Sequence, residues 1–343
     1  MLSYMGIKEI AEKAGVSKTT VSLALNGHKG VSEEMRLHIV ALAKEMNYRV
    51  PGNRSYIQRQ NGIIVFAKLS RHGLILNSDQ NNFIVNYIEG IHHIVKEFGY
   101  SFEINTQRIE TMDTFIAEIN QKQPKGLIVL GTELKPEDIL SLASLSVPYI
   151  VLDTYYEHIA TDFVTMANIS AVHTLVEHLV DKHHSDIMMV ASGIATGNIA
   201  MRERGFRLAM EHYGLTISEQ SFITVQPGFE GAYRDMLCYI QAKKHIPQAL
   251  FCYNDVAAFG VIKALKDCGY AVPKDISIIG FDDLPMSLMM EPRLTSISVP
   301  TQRIGAIAAR SLVEMLLSKS PHTIKSVLVQ GKLVVRESVL DRK

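Results

Sequence analysis

The sequence predicts an α/β protein in which a small helical head precedes a large body containing two doubly wound parallel sheets. Residues 7–47 carry apolar side chains at helical spacing, whereas from residue 62 onward short apolar runs alternate with helical segments. Regular strand–helix alternation is typical of parallel sheets covered by helices on both faces. The length of 343 residues exceeds what one hydrophobic core usually organises, which indicates more than one packed unit.

Each element of the body follows from this alternation. Because ligands of such folds bind beyond the carboxyl ends of the strands, residues at strand ends are the candidates for function. The predicted strands are GIIVFA, SFEINT, GLIVLG, YIVLD, DIMMVA, SFITVQ, ALFCY and ISIIGFD, and the predicted helices include 83–98, 111–122, 168–181, 200–213, 254–268 and 301–317.

Charge and composition narrow the classes of partner. Lys plus Arg and Asp plus Glu are balanced at 35 each, but the first 60 residues hold nine basic and five acidic residues. A basic head on a mildly acidic body predicts a polyanionic partner for the head. Cys238, Cys252 and Cys268 form no CxxC pair and predict reduced thiols. Without a signal peptide or a membrane-length apolar run, the chain is expected to be cytoplasmic and independent of membranes.

The sequence of the head predicts a helix-turn-helix. A first helix with Ile10 and Ala11 inward ends at Gly15, Ser17 caps a second helix, and a third helix begins at Ser32. In this motif the polar residues at the start of the second helix reach base edges in the major groove of double-stranded DNA. The predicted head covers residues 1–50, and the polar, basic stretch 51–61 with Pro51 and Gly52 predicts a linker.

The head contains the sequence IKEIAEKAGVSKTTVSLALNG, followed by VSEE and Tyr48. This sequence resembles the DNA-binding head of the LacI/GalR family of bacterial transcription regulators. Leu23 stands where that family often has Arg, which grips guanine bidentately, whereas Leu offers only apolar contact. We therefore predict a DNA half-site that differs from the family's common one at this position. The DNA-contacting residues that the resemblance implies are Ser17, Lys18, Thr19, Thr20, Ser22, Leu23 and Asn26.

The linker departs from the family pattern, in which a hinge helix places a Leu in the minor groove. The family's spacing from Tyr48 leads to Ile57, whereas RSY resembles the family's RSL and favours Tyr56. Either side chain could partly unstack a base step. A plain flexible linker with no hinge helix is the alternative.

The resemblance continues through the body, in RERGFRLAM at 202–210, VEHLVDKHHSDIMMV at 176–190 and ALFCYNDVAAFG to PRLTSISVP at 249–300. It implies a two-lobed body, residues 62–340, like periplasmic sugar-binding proteins. The expected lobes are about 62–162 with 298–325, and about 163–297 with 326–340, and the chain is expected to pass between them near residues 162, 297 and 326. The effector-binding residues that the resemblance implies are Asn82, Phe83, Arg202, Phe229, Asn254 and Asp282.

Two departures flank the expected pocket. Ala167 replaces the family's Asp in VTMAN, and the stretch 68–82 is longer than the family's loop and lacks its Asn-Pro-Phe. The identity of the effector is therefore not carried over. The chain has no P-loop, GxSxG or HExxH motif, and the spacing of its histidines is poor for a metal. We expect no enzymatic activity, no cofactor and no metal.

The sequence thus predicts a DNA-binding regulator, a repressor of carbohydrate-metabolism genes whose operator affinity is controlled by a small effector, expected to be a sugar. One head offers few contacts, so a homodimer on a pseudo-palindromic operator is expected. The region 318–343 lacks leucine heptads, which favours a dimer over a tetramer. The alternative is a solute-binding protein without DNA regulation.

Overall fold

The structure is a computed structural model that describes residues 7–26, 30–46, 48, 61–73 and 81–343. The chain divides into two compact units, Met1–Asn61 and Gly62–Lys343, which are called the head and the body below. Within the described ranges no helix has the length and apolar character needed to cross a membrane.

The head contains the predicted three helices, α1 (Ile7–Ala14), α2 (Lys18–Asn26) and α3 (Glu33–Glu45). Their shared core is closed by fully buried Ile10, Val21 and Ile39. Helix α1 ends as predicted at Gly15, whose φ of +67° is left-handed. The Val16 N–H then bonds back to the Ala11 carbonyl at 3.0 Å, which is the usual way in which such a glycine closes a helix.

The first sheet of the body is six-stranded and parallel, with the strand order β11-β5-β4-β3-β1-β2. This sheet and its helices form the first lobe. Strands β3 and β4 are almost wholly buried, as expected for parallel strands covered on both faces. The strands are β1 (Ile63–Ser70), β2 (Ser101–Arg108), β3 (Gly126–Leu130), β4 (Tyr149–Leu152), β5 (Phe163–Met166) and β11 (Ser326–Val329).

The second sheet is four-stranded and parallel, in the order β7-β6-β8-β9, and forms the second lobe with its helices. An antiparallel pair, β10 with β12, lies beside it, and Thr295 and Ser298 bridge to Ile279 and Asp282. The strands are β6 (Ile187–Ser192), β7 (Phe222–Val225), β8 (Ala249–Cys252), β9 (Ser277–Ile279), β10 (Ser296–Ser298) and β12 (Lys332–Val334).

The helices of the body follow the sequence prediction closely, with α6 and α9 added. Helices α4 and α11 approach so closely that a Cβ on Gly90 would lie 1.9 Å from the Gln302 carbonyl oxygen. This contact fixes α4, which carries Phe83 and Tyr87 at its N-terminal half. The helices are α4 (Asn81–Glu97), α5 (Asp113–Lys122), α6 (Pro136–Ser141), α7 (Asn168–Asp181), α8 (Gly197–His212), α9 (Phe229–Gln241), α10 (Asp255–Asp267) and α11 (Thr301–Leu317).

The chain passes between the lobes at three places, and two of them lie later than predicted. Residues 163–166 and 326–329, which the predicted boundaries assign to the second lobe, pair with each other and with β4 in the first sheet. The passages therefore follow Met166 and Val329, while the passage after β10 lies close to the predicted residue 297. The sheet that these two strands join is decided by their pairing with each other and with β4, which the local sequence pattern does not show.

Candidate functional site

In the head, Ser17 begins the second helix as predicted. Its Oγ accepts a hydrogen bond from the Thr20 backbone N–H at 3.0 Å and lies 2.8 Å from the Thr20 hydroxyl. This N-cap satisfies a backbone donor that would otherwise lack a partner. Lys18 and Thr19 follow on the first turn with exposed side chains. The fold thus presents a cation and a short hydroxyl side chain at the start of this helix.

The other predicted DNA contacts are less open. Thr20, Ser22 and Leu23 are half-buried, and Leu23 lies beside Gly30, where a Cβ on Gly30 would stand 3.9 Å from the Leu23 Cδ1. Asn26 is the last residue of α2, but its side chain is outside the described part of the chain, as are Tyr56 and Ile57.

In the body, a cleft of about 740 Å³, part of it open to solvent, lies at the carboxyl ends of the strands of both sheets. The structure brings four of the six predicted effector residues to this cleft, namely Phe83, Arg202, Asn254 and Asp282. It also places there several polar residues that the sequence did not single out: Thr132, Asp153, Ser192, Thr196, Asn198 and Tyr253.

Arg202 and Asp282 form a buried ion pair in the second lobe, with Nη2 3.3 Å from Oδ1 and side-chain exposures of 8% and 9%. Arg202 also donates to the Tyr253 carbonyl at 2.7 Å, and its guanidinium lies 3.6 Å from the centre of the Phe281 ring. Burial raises the pKa of Asp282 to about 7, although Arg202 acts in the opposite direction. The second carboxylate oxygen of Asp282 makes no hydrogen bond within the described residues, so it is free to accept one from a ligand.

Asn254 is the N-cap of α10, where its Oδ1 accepts from the Ala257 backbone N–H at 2.9 Å. This bond fixes the side-chain amide so that Nδ2 is left to donate. No hydrogen bond of Nδ2 is found among the described residues. The cleft therefore offers a donor at Asn254 and an acceptor at Asp282.

Asp153 is one of the cleft residues that the sequence analysis missed. It follows β4 with a left-handed φ of 63° and accepts hydrogen bonds from the Tyr87 hydroxyl at 2.8 Å and the Thr132 hydroxyl at 2.6 Å. The Asn198 amide adds a third bond, at 3.1 Å. Burial raises the pKa of Asp153 despite these donors. Its position at the end of a predicted strand was the signal that could have found it.

Asp255 is buried behind the cleft and holds the segments around it. Its carboxylate accepts from the Leu284 N–H at 2.8 Å and from the hydroxyls of Ser287 and Ser296, both at 2.6 Å. Burial raises the pKa of Asp255 to about 6. Asp283 points to a different partner, Arg336, at 2.6 Å. The neighbouring carboxylates at 282 and 283 thus face different groups.

The two predicted aromatic residues differ in their position relative to the cleft. Phe83 lines the cleft and meets the Tyr87 ring edge-on, with 5.3 Å between ring centres. Phe229 is not among the cleft residues: it is 36% exposed and stacks on Tyr233 one turn along α9, while Gly228 before it lines the cleft. The expected ligand-stacking position of Phe229 is thus not found in this arrangement. Asn82 lies in α4, and its side chain is outside the described residues.

Two adjacent histidines, His183 and His184, contact the C-terminal segment. His183 lies 3.0 Å from Asp341, and His184 Nε2 lies 3.0 Å from the Leu340 carbonyl, so both hold the C-terminal segment. Across the described ranges no group of three or more His, Cys, Asp or Glu residues has an arrangement suited to a metal ion.

The helix-turn-helix head and the two-lobed body with a polar cleft define a class, the DNA-binding regulators that carry a ligand-binding body. Comparison with known proteins gives the family. Residues 6–50 match the model of bacterial regulatory proteins of the lacI family, and residues 176–339 match the periplasmic binding protein-like domain. The chain belongs to the LacI/GalR family of bacterial transcription regulators.

Curated relatives match along almost the whole chain. The HTH-type transcriptional repressor PurR of Pasteurella multocida is 30% identical, with 98% of this chain and 99% of the relative covered. The repressor of the same name from Proteus mirabilis is 29% identical, with 98% and 97% covered.

Solved structures share the fold. The complex of the transcriptional regulator CelR with cellobiose has a TM-score of 0.72 at 22% identity, with 97% of this chain and 99% of that one covered. The Lac repressor dimer bound to operator and the anti-inducer ONPF has a TM-score of 0.73 at 21% identity, covering 98% and 100%. At these identities the likeness concerns the fold.

Proposed function

We propose that the protein is a repressor that binds a pseudo-palindromic operator as a homodimer and whose affinity for DNA is set by a small, uncharged, hydroxylated effector, a sugar, in the cleft between the lobes. The observation that carries the proposal is the combination of an exposed Lys18 and Thr19 on the second helix with a polar cleft in the body. Repression is supported by the names of the curated relatives.

The DNA-binding part rests on the geometry of the head. A helix capped at Ser17 presents its N-terminus to phosphates, and Lys18 and Thr19 at its start can approach base edges. A single short helix contacts few base pairs, so two heads related by twofold symmetry are needed for tight binding. The Lac repressor structure of the same fold is a dimer on its operator.

The sugar proposal rests on the unused groups of the cleft. A sugar hydroxyl both donates and accepts, and the cleft offers an acceptor on Asp282 and a donor on Asn254. Phe83 adds an apolar ring face or edge. The CelR structure of the same fold is a complex with cellobiose. Nucleobases also present donors and acceptors along their edges, so they form the second arm of the ligand test.

The experiment has two parts. Binding-site selection from random duplex DNA, followed by fluorescence anisotropy, is expected to yield a pseudo-palindrome whose affinity falls steeply with salt, because phosphate contacts release counterions. Thermal unfolding is then measured with a panel of neutral sugars and a panel of nucleobases and nucleosides. Stabilisation by a sugar that also changes operator affinity is expected.

The outcomes separate the alternatives. Stabilisation by a nucleobase alone would overturn the sugar assignment and leave the regulator proposal standing. Stabilisation by a sugar together with no DNA binding at low salt would favour the solute-binding alternative. If no ligand stabilises the protein and no DNA duplex binds to it, the proposed function is wrong.

A further inference from the structure

A buried chain of hydrogen bonds connects the two lobes along the wall of the cleft. Arg202 Nε donates to Asn168 Oδ1 at 3.0 Å, Asn168 Nδ2 donates to Asn198 Oδ1 at 3.0 Å, and Asn198 Nδ2 donates to the Asp153 carboxylate at 3.1 Å. These four residues are called the relay. Each of them is at most 7% exposed. The relay begins at α8 of the second lobe and ends beside β4 of the first.

The relay has a fixed direction, because its ends have only one role each. A guanidinium only donates and a carboxylate only accepts, so each amide between them has one possible orientation. Two further bonds agree with that orientation: Asn168 Nδ2 donates to the Met166 carbonyl at 3.2 Å, and Asn198 Nδ2 donates to the Asp153 carbonyl at 2.9 Å. Reversing any amide would therefore place like groups against each other.

Asn168 differs from the other three members in its position. Arg202, Asn198 and Asp153 line the cleft, whereas Asn168 is not among the lining residues and is 2% exposed. It is the first residue of α7, directly after the chain leaves the first sheet. Asn168 thus touches two cleft residues from behind, at the point where one lobe passes into the other.

We infer that Asn168 is a positioning residue that holds Arg202 and Asn198 in the orientation needed for the effector and joins the two lobes through the relay. This inference rests on the proposed function, in which the effector occupies the cleft. Asn168 and Tyr253 hold Arg202, which binds one oxygen of Asp282 and leaves the other oxygen for the ligand. Asn198 holds Asp153 of the opposite lobe in a fixed position relative to Asp282. A ligand that bridges the lobes needs both ends at once.

The first test is the isosteric substitution Asn168→Asp in the full-length protein. Aspartate still accepts from Arg202, but it cannot donate to Asn198 or to the Met166 carbonyl, and a reversed Asn198 would turn its oxygen toward Asp153. We expect the affinity for the sugar found in the panel to fall roughly ten- to hundredfold by calorimetry, since a buried bond is lost and a carbonyl is left unpaired.

A matched control makes the same chemical change elsewhere. Asn86 is an exposed residue of α4, and Asn86→Asp adds the same charge without touching the relay. This variant should bind the sugar like the wild type. If Asn168→Asp also binds the sugar with unchanged affinity, Asn168 has no positioning role and the inference is wrong.

The second test restores the direction of the relay. In the double variant Asn168→Asp with Asp153→Asn, Asn198 turns its amide nitrogen to residue 168 and its oxygen to the new amide at 153, and the net charge equals that of the wild type. Asparagine tolerates the left-handed φ of 63° at position 153. We expect Asn168→Asp to lower the thermal unfolding midpoint of the body and the double variant to regain part of that loss. Recovery is incomplete because the bonds to the Met166 carbonyl and to the residue 153 carbonyl are not restored. Asp153→Asn alone should have a smaller effect, because its amide oxygen can still accept from Asn198.

This second test needs no ligand, so it separates the inference from the proposed function. Additive losses in the double variant would overturn the relay even if a sugar binds the wild-type protein. A recovered midpoint would support the relay even if the panel yields no ligand, in which case the proposed function fails on its own.

Discussion

The head presents its candidate contacts along one short exposed helix, whereas the body assembles its cleft from buried and half-buried side chains that lie far apart in sequence. Ser17, Lys18 and Thr19 are neighbours in the chain and face solvent. Asp153, Arg202 and Asp282 come from separate strand ends and one helix and line the same cleft.

The difference in burial changes what each charge does. An exposed Lys18 keeps its hydration and interacts with a polyanion at long range, so it affects binding more than folding. A buried Asp282 with Arg202 has lost its water, so each charge depends on the other. Substitutions in the head should therefore alter DNA affinity with little effect on stability, and substitutions in the cleft should alter both ligand binding and stability.

The largest expected effect comes from Arg202→Ala. The change leaves the Asp282 carboxylate buried without its partner and removes the donors to Asn168 and Tyr253. We expect the free energy of unfolding of the body to fall by about 3 kcal/mol in urea denaturation, together with loss of effector binding.

Arg204→Ala is the control for this prediction, because Arg204 pairs with Glu157 on the surface with exposures of 53% and 57%. Its effect should stay within about 0.5 kcal/mol. Equal losses in the two variants would show that burial does not distinguish the two ion pairs, and the comparison between exposed and buried charges would lose its basis.

A second, smaller effect concerns pH. Burial raises the pKa of Asp282 to about 7 in the folded protein, from an ordinary value of 3.8. A carboxyl with a raised folded pKa contributes stability that is complete below its ordinary pKa and is lost as the pH rises through about 7. We expect the unfolding midpoint of the body to fall between about pH 5 and about pH 8, and Asp282→Asn to reduce that fall. Asp113→Asn, an exposed change on α5, should keep the wild-type slope; equal slopes in all three proteins would contradict the assignment.

The contrast between contacts that are local in sequence and contacts between distant segments also explains what could be predicted from the sequence. The eight strand runs and the three head helices were predicted correctly because each depends on a local apolar period. The passages between lobes were placed too early because β5 and β11 join the first sheet through their pairing with each other and with β4. Pairing between segments that lie far apart in the chain leaves little local signal in the sequence.

Cleft residues were predicted where they belong to a recognisable sequence motif, as Asn254 does in YND and Asp282 in GFDD. Asp153 was missed because a single aspartate after a strand is common, and its function depends on Tyr87, Thr132 and Asn198 from three other segments. The position of Phe229 was predicted from resemblance alone, and the structure instead packs its ring on Tyr233. The positions and partners of such residues depend on contacts between segments that lie far apart in the chain.

The third prediction sharpens the description of the head. Removing the exposed ammonium in Lys18→Ala should weaken operator binding by roughly ten- to hundredfold, as expected when one base-edge contact is lost. Fluorescence anisotropy at one salt concentration measures the change, while thermal unfolding and effector affinity should stay at wild-type values. Lys8→Ala removes the same charge from an exposed position of α1, so an equal loss there would mean that the head binds through net charge and not through the start of α2.

The last prediction concerns the specificity of the head and has the smallest effect on total affinity. Leu23 is half-buried beside Gly30 and offers only apolar contact, where the family often has Arg. Leu23→Arg should shift the preference at one base pair of each half-site toward guanine by roughly tenfold, since a guanidinium reaches guanine O6 and N7 bidentately. Binding-site selection with both proteins measures the change, and Leu23→Met serves as the control that keeps an apolar side chain and the wild-type motif. Identical selected motifs for the wild type and Leu23→Arg would mean that residue 23 does not face the bases, and the recognition surface would then be confined to the first turn of α2.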